Sequence, residues 1–156
     1  RPALPPLPAC VCTEMPSRSR EALEQAFPND EKRPKLLAVT VLTSMDEAGL
    51  RETGVEATPR EQVLRLGKLA IRAGADGLVC SAHEIALLRD ALGDDPVLVV
   101  PGIRPEGSAS NDQKRIMTPT QAAKAGADWI VVGRPITRSP NPAKAAAAIM
   151  AALACV

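Results

Sequence analysis

Aromatic side chains are almost missing from this chain: one Phe, one Trp and no Tyr among 156 residues. Base-stacking platforms for nucleic acid depend on such rings, so that class is excluded. Net charge is nearly missing too. The formal balance is +1, with acids and bases interspersed, so neither nucleic acid nor an anionic membrane surface is indicated as a partner. No apolar run approaches the ~20 residues of a membrane span. The first residues lack a signal-peptide layout, because prolines interrupt their apolar side chains. There is one histidine, His83, and the four cysteines (Cys10, Cys12, Cys80 and Cys155) form no Cys-x-x-Cys pair. No zinc pattern results, and no metal is expected. A metal or redox role for Cys10-x-Cys12 competes with plain reduced thiols. The plain reading places the chain in the cytoplasm and makes Cys80 a small buried residue at a strand end.

What is present is apolar filling. Ala, Val, Leu and Ile dominate the 46% of residues that are hydrophobic. The length suits one ordinary domain and falls short of the ~250 residues of a complete eight-fold β/α barrel. Prolines 2, 5, 6, 8 and 16 argue against regular structure at the start. Residues 1–18 are therefore expected to form a Pro-rich tail, disordered or aberrant, with a helix from Ser17 to Ala26. The chain begins at Arg1 rather than Met, which suggests a fragment or a processed chain.

Strand and helix signals then alternate. Leu36 to Leu42 is an apolar run with strand composition, ending in Thr43-Ser44-Met45. Thr58-Pro59-Arg60-Glu61 spells a capping box with proline in the first turn, and Gly74 ends the helix. Asp76 to Cys80 is the next strand. Ser81-Ala82-His83-Glu84 spells a second box, opening a helix to about Leu92; His83 inside it is expected to be structural or on the surface. Thr118-Pro119-Thr120-Gln121 opens a third helix. Its end, Ala125-Gly126-Ala127-Asp128, repeats Ala73-Gly74-Ala75-Asp76. A last, Ala-rich helix runs from Asn141-Pro142 to about Leu153. Such repeated junctions indicate tandem βα units on a parallel sheet. Four units make half of a (β/α)8 barrel. A small open α/β sheet fits the count as well, but neither G-x-G-x-x-G nor G-x-x-x-x-G-K-[ST] occurs.

Two runs carry the chemistry. Val97-Leu98-Val99-Val100 leads into Pro101-Gly102-Ile103-Arg104, and Trp129-Ile130-Val131-Val132 leads into Gly133-Arg134-Pro135-Ile136-Thr137. Both read as strands buried on both faces. Each delivers a glycine and an arginine at its C-terminal end, where parallel α/β folds bind ligands. Glycine admits an anion close to backbone N–H groups, and arginine forks onto phosphate or carboxylate. The chemistry alone indicates the phosphate-binding end of a β/α barrel.

Taken with Leu37-Ala38-Val39-Thr40-Val41-Leu42-Thr43-Ser44, Asp76-Gly77-Leu78-Val79-Cys80-Ser81 and Asn111-Asp112-Gln113-Lys114-Arg115, these stretches resemble orotidine 5′-phosphate decarboxylase, in order, from about Ser19 to Leu153. The resemblance implies a TIM-barrel lyase that makes uridine monophosphate (UMP) from orotidine monophosphate (OMP), without cofactor, as a homodimer. Residues 19–156 would be the C-terminal half of that barrel. It further implies that Arg104 binds phosphate and that Gln113 folds over the nucleotide, bridging phosphate and pyrimidine. Gly133, through its backbone N–H, and Arg134 would form a second phosphate grip, and Thr43, with Ser44 beside it, would contact the pyrimidine. The plain alternatives are a surface arginine, an ordinary loop residue, a turn glycine and a strand cap. The family's catalytic D-x-K-x-x-D string is absent; Asp30-Glu31-Lys32-Arg33-Pro34-Lys35 comes nearest and precedes a strand. No catalytic residue is therefore assigned, and the Pro-rich start is expected to be a truncated or frame-disrupted beginning. Two other readings compete: a different sugar-phosphate enzyme on a related barrel, and a non-catalytic phosphate-binding half-barrel.

Overall fold

The computed structural model describes residues 13–29, 33–105 and 117–154. Helix α1 (Glu14–Ala26) precedes strand β1 (Leu37–Val39), helices α2 (Glu47–Glu52) and α3 (Pro59–Arg72), and strand β2 (Gly77–Val79). A 3-10 turn (Ala82–Glu84) then leads into helix α4 (Ile85–Leu92). Strand β3 (Val97–Val100), helix α5 (Pro119–Lys124), strand β4 (Trp129–Ile130), a short helix α6 (Arg134–Thr137) and helix α7 (Pro142–Leu153) complete the order.

The four strands are parallel and lie in sequence order β1-β2-β3-β4. A doubly wound sheet would reverse direction somewhere; this one does not. Right-handed crossovers that always step the same way put every helix on one face. That is the curvature of a barrel segment, and the chain is a partial TIM barrel of four βα units. Ala38, Leu78 and Leu98 share one register row and are buried under the helices. Leu78 meets α3 at Gly67, where an added Cβ would lie 3.0 Å from its Cδ1. Their neighbours Val39, Val79 and Val99 point to the other face and are half-buried, while Trp129, in line with them, is 66% exposed. The expectation of strands buried on both faces is corrected here. Helices cover one face only, so burial alternates along β1 and β3.

The helix starts are largely as spelled. Thr58 accepts from the Glu61 N–H at 3.3 Å, and the Glu61 carboxylate accepts from the Thr58 N–H at 2.9 Å. Thr118 and Gln121 repeat the arrangement. Thr58→Ala is expected to destabilise the fold by about 1 kcal/mol, read as a lower denaturant midpoint at unchanged slope. Helix α1 begins at Glu14 rather than Ser17, and runs across the expected boundary at residue 18. Pro16 falls in its first turn, where an amide N–H would have no intrahelical acceptor anyway. At Ser81 the reciprocal box gives way to a different turn. Ser81 Oγ accepts from the His83 N–H at 3.3 Å, and the Glu84 N–H donates to the Ser81 carbonyl at 3.1 Å. His83 is exposed, while the Glu84 side chain is buried.

The repeated Ala-Gly-Ala-Asp junction explains itself. Asp76 donates its N–H to the Leu36 carbonyl at 2.8 Å and accepts the Leu36 N–H on its carboxylate at 2.6 Å. Asp128 does the same with Leu98, at 3.1 and 2.7 Å. Each aspartate thus clasps the start of the preceding strand from below. Arginines close both clasps: Arg20 and Arg33 on Asp76, and Arg89 on Asp128.

Candidate functional site

Among the described residues, six polar or charged side chains are buried, and five of them (Thr40, Thr43, Ser81, Glu84 and Arg104) lie beyond the C-terminal ends of β1, β2 and β3. Burying polar groups is costly unless something needs them. Their concentration at one end marks it as the working end of the sheet.

The register gives this end a common origin. Val100 pairs with Ile130. The Cys80 N–H donates to Val99 O and the Thr40 N–H to Val79 O, which carries the same row across to β1. Four residues beyond this row stand Ser44, Glu84, Arg104 and Arg134. Three residues beyond it stand Thr43, His83, Ile103 and Gly133. The residues expected from sequence to bind a nucleotide therefore follow three of the strands at the same end of the sheet. Gln113 lies outside the described residues.

Arg104 is 6% exposed, and its Nη1 donates to the Ile103 carbonyl at 2.9 Å. Its own N–H donates to the Met117 carbonyl at 2.9 Å, and Ile103 bridges to Met117 in parallel fashion. The two ends of the segment from Pro105 to Met117 are thus pinned together at the sheet. Thr43 is 7% exposed behind a turn closed by the Met45 N–H on Leu42 O at 3.0 Å. Thr40, three residues earlier, donates its hydroxyl to the Val79 carbonyl at 2.9 Å.

The two glycines beside the arginines differ. Gly102 has φ +78, a left-handed turn that favours glycine. Gly133 has φ −102, and a Cβ built on it meets nothing within 4 Å among the described residues. Neither a left-handed turn nor a packing contact with the described residues calls for glycine there. An open glycine next to an arginine suits close approach of an anion to the backbone.

A cleft of about 630 Å³ opens between α5 and α7. Pro105 and Pro135, the residues after the two arginines, stand on its wall together with Thr118, Thr120 and Ile149. The arginines themselves do not line it, so the cleft is beside Arg104 and Arg134 rather than around them. Among the described residues no group of three or more His, Cys, Asp and Glu could hold a metal ion. No helix among them is long and apolar enough to cross a membrane.

Thr40, Ser81 and Glu84 are the buried polar members of this end that motif reading missed. Thr40 stood inside an apolar run, and the capping-box pattern accounted for Ser81 and Glu84.

Comparisons with known proteins agree with the fold. The model of the orotidine 5′-phosphate decarboxylase / HUMPS family matches residues 8–149. Orotidine 5′-phosphate decarboxylase of Gluconobacter oxydans is 76% identical over 154 residues, 99% of this chain and 65% of that protein. The enzyme of the same name from Pseudoalteromonas translucida is 57% identical over 129 residues, 83% of this chain and 54% of the relative. The crystal structure of orotidine 5′-phosphate decarboxylase from Lactobacillus acidophilus superimposes with a TM-score of 0.76 at 38% identity, over 94% of this chain and 61% of that one. The chain therefore spans somewhat less than two thirds of the relatives it matches.

Proposed function

The chain belongs to the orotidine 5′-phosphate decarboxylase / HUMPS family, and from that premise we propose that it is the nucleotide-binding part of such a decarboxylase. The ligand is OMP or UMP. Arg104 and Arg134 take the phosphate, Gly133 offers its N–H to the same group, Gln113 reaches across to the pyrimidine, and Thr43 with Ser44 contacts the base. The parent reaction is decarboxylation of OMP in the cytoplasm, by a homodimer that needs no cofactor.

One observation carries this reading. Arg104 and Arg134 stand four residues beyond the paired residues Val100 and Ile130 of adjacent strands, with Gly133, unobstructed by any described residue, beside the second. Two guanidinium groups and a bare backbone N–H at one sheet end suit a dianionic phosphate. The phosphate is remote from the reacting carbon. Its binding energy supports catalysis by ordering the site, rather than by touching the atoms that change.

The D-x-K-x-x-D string does not occur in the sequence. This chain alone is therefore expected to bind UMP and not to decarboxylate OMP, which also supports the reading of a non-catalytic phosphate-binding half-barrel for the polypeptide by itself. The test is a thermal melt with and without UMP. At a hundredfold excess over Kd, the midpoint should rise by roughly 5–10 °C, and Arg134→Ala should abolish the rise while leaving the ligand-free melt in place. A cooperative melt that UMP leaves unmoved would defeat the binding assignment. Steady UMP production by the pure chain would overturn the expectation of inactivity.

A further inference from the structure

Among the described residues three arginines are followed directly by proline: Arg33-Pro34, Arg104-Pro105 and Arg134-Pro135. The first shows such a pair on an anion. Arg33 grips the Asp76 carboxylate through both arms of its fork, Nη1 to Oδ2 at 3.1 Å and Nη2 to Oδ1 at 3.0 Å. The other two pairs follow β3 and β4, at the end of the sheet proposed above to bind the phosphate. Pro105 and Pro135 belong to different βα units, yet both stand on the wall of the one cleft of about 630 Å³.

Proline acts on each arginine through the backbone. Arg104 continues the stretch in which Ile103 bridges to Met117, and its own N–H donates to the Met117 carbonyl at 2.9 Å. A proline after Arg104 disfavours the helical region for it and keeps that stretch extended. Arg134 opens α6, and Pro135 is the second residue of that helix. A helix of four residues is marginal by itself. This one is held by the Ile136 and Thr137 N–H groups on the Gly133 carbonyl, at 2.9 and 3.1 Å. The Pro135 ring presets φ at about −65°, a helical value, and adds no N–H that the first turn would leave without an intrahelical acceptor.

We infer that Pro105 and Pro135 are positioning residues of the phosphate site. Each limits the backbone beside its arginine, so that less freedom is lost when the guanidinium groups and the Gly133 N–H close on an anion. They act through the arginines rather than on the ligand, and the gain in affinity is one of preorganisation. The inference rests on the phosphate-binding role of Arg104 and Arg134 proposed above, and it gives a role to two residues that motif reading left without one.

Titration of the full chain with UMP tests it, across Pro105→Ala, Pro105→Gly, Pro135→Ala and Pro135→Gly, each first shown by a thermal melt to fold. At both positions UMP affinity should fall about threefold with alanine, and about tenfold with glycine, whose backbone is freer still. Pro34→Gly is the control. It should lower the melting midpoint and leave UMP affinity unchanged, because Arg33 serves the Asp76 clasp. Should a glycine variant fail to fold, the alanine variants, with Pro34→Ala beside them, carry the same comparison.

A proline with a structural role alone would behave as Pro34 does. Unchanged UMP affinity in the alanine and glycine variants of either proline, beside a wild type that binds, would therefore overturn the assignment of that residue. So would glycine variants that bind better than alanine ones, or a Pro34→Gly variant that loses as much affinity as the others. If the wild type itself does not bind UMP, the phosphate-binding role of the arginines fails, and this inference falls with it.

Discussion

Gly77→Ala is expected to lower the stability of the chain by about 3 kcal/mol or more, with loss of the cooperative transition as the extreme outcome. A Cβ at this position would lie 2.2 Å from the carbonyl oxygen of Val97, 2.8 Å from Val97 Cβ and 2.9 Å from Leu37 Cδ2. The first of these is backbone of the neighbouring strand, so no side-chain rotation relieves it. Gly77 sits in the first register row of the sheet, between Leu37 and Val97. Alanine there must push β1 or β3 away from β2. The same substitution at Gly49 in α2 is the control. Its nearest outside atom is an Asp46 carboxylate oxygen at 3.6 Å, and alanine favours a helix. Gly49→Ala should leave the denaturant midpoint unchanged or raise it, while Gly77→Ala lowers it steeply. Equal midpoints for the two variants would refute the packing argument.

Asp76→Asn should lower stability near neutral pH by about 3 kcal/mol, because it leaves two arginines without their shared anion. The Arg20 guanidinium lies at 2.8 Å and that of Arg33 at 3.0 Å, with only 7% of the Arg33 side chain exposed. Burial by itself would raise the Asp76 carboxyl. The hydrogen bonds from Arg33, the Leu36 N–H and Arg20 outweigh it and hold the group below the ordinary carboxylate range. The sign of the pH effect follows. A carboxyl held lower in the folded state than in the unfolded one contributes stability above the unfolded value, near pH 4. That contribution fades as the pH falls through the folded value. Wild type and Asp76→Asn should therefore differ most from about pH 5 upward and converge in acid. Parallel melting curves down to pH 2 would show that Asp76 is not the group responsible.

The sequence made the order of the βα units legible because each punctuation mark is local. Thr58-Pro59 and Thr118-Pro119 spell helix starts within one turn, and Gly74 and Gly126 supply the positive φ that ends a helix. Edges were less legible. The apolar run from Leu36 to Leu42 yields only the strand Leu37–Val39, since a turn takes the chain away from β2 after Thr40. Helix α2 was missed although Asp46 caps it, accepting the Gly49 N–H at 3.0 Å; at six residues it has too little apolar period to register. Helix α6, at four residues, escaped sequence reading for the same reason.

In the candidate site, sequence reading singles out residues whose type suggests a chemistry, as with Arg104 and Arg134 after their strands. It does not single out a residue whose meaning depends on burial. Glu84 fits a capping box by its spacing, and only packing shows the side chain turned inward. The clasp on Asp76 was hidden by distance along the chain. Its partners Arg20 and Arg33 lie 56 and 43 residues away, and nothing local couples them.

The clasping aspartates sit at one end of the strands and the residues proposed to bind the anion at the other. Natural variation in this family can then be sorted by position alone. A substitution just ahead of a strand, near Leu36, Asp76 or Asp128, should reveal itself as a protein that melts early yet binds normally once folded. One a few residues past a strand, near Thr43, Arg104 or Arg134, should reveal itself as a protein that melts normally yet binds poorly. The two kinds of damage should seldom occur together, and a lineage can adjust its working temperature without renegotiating its ligand.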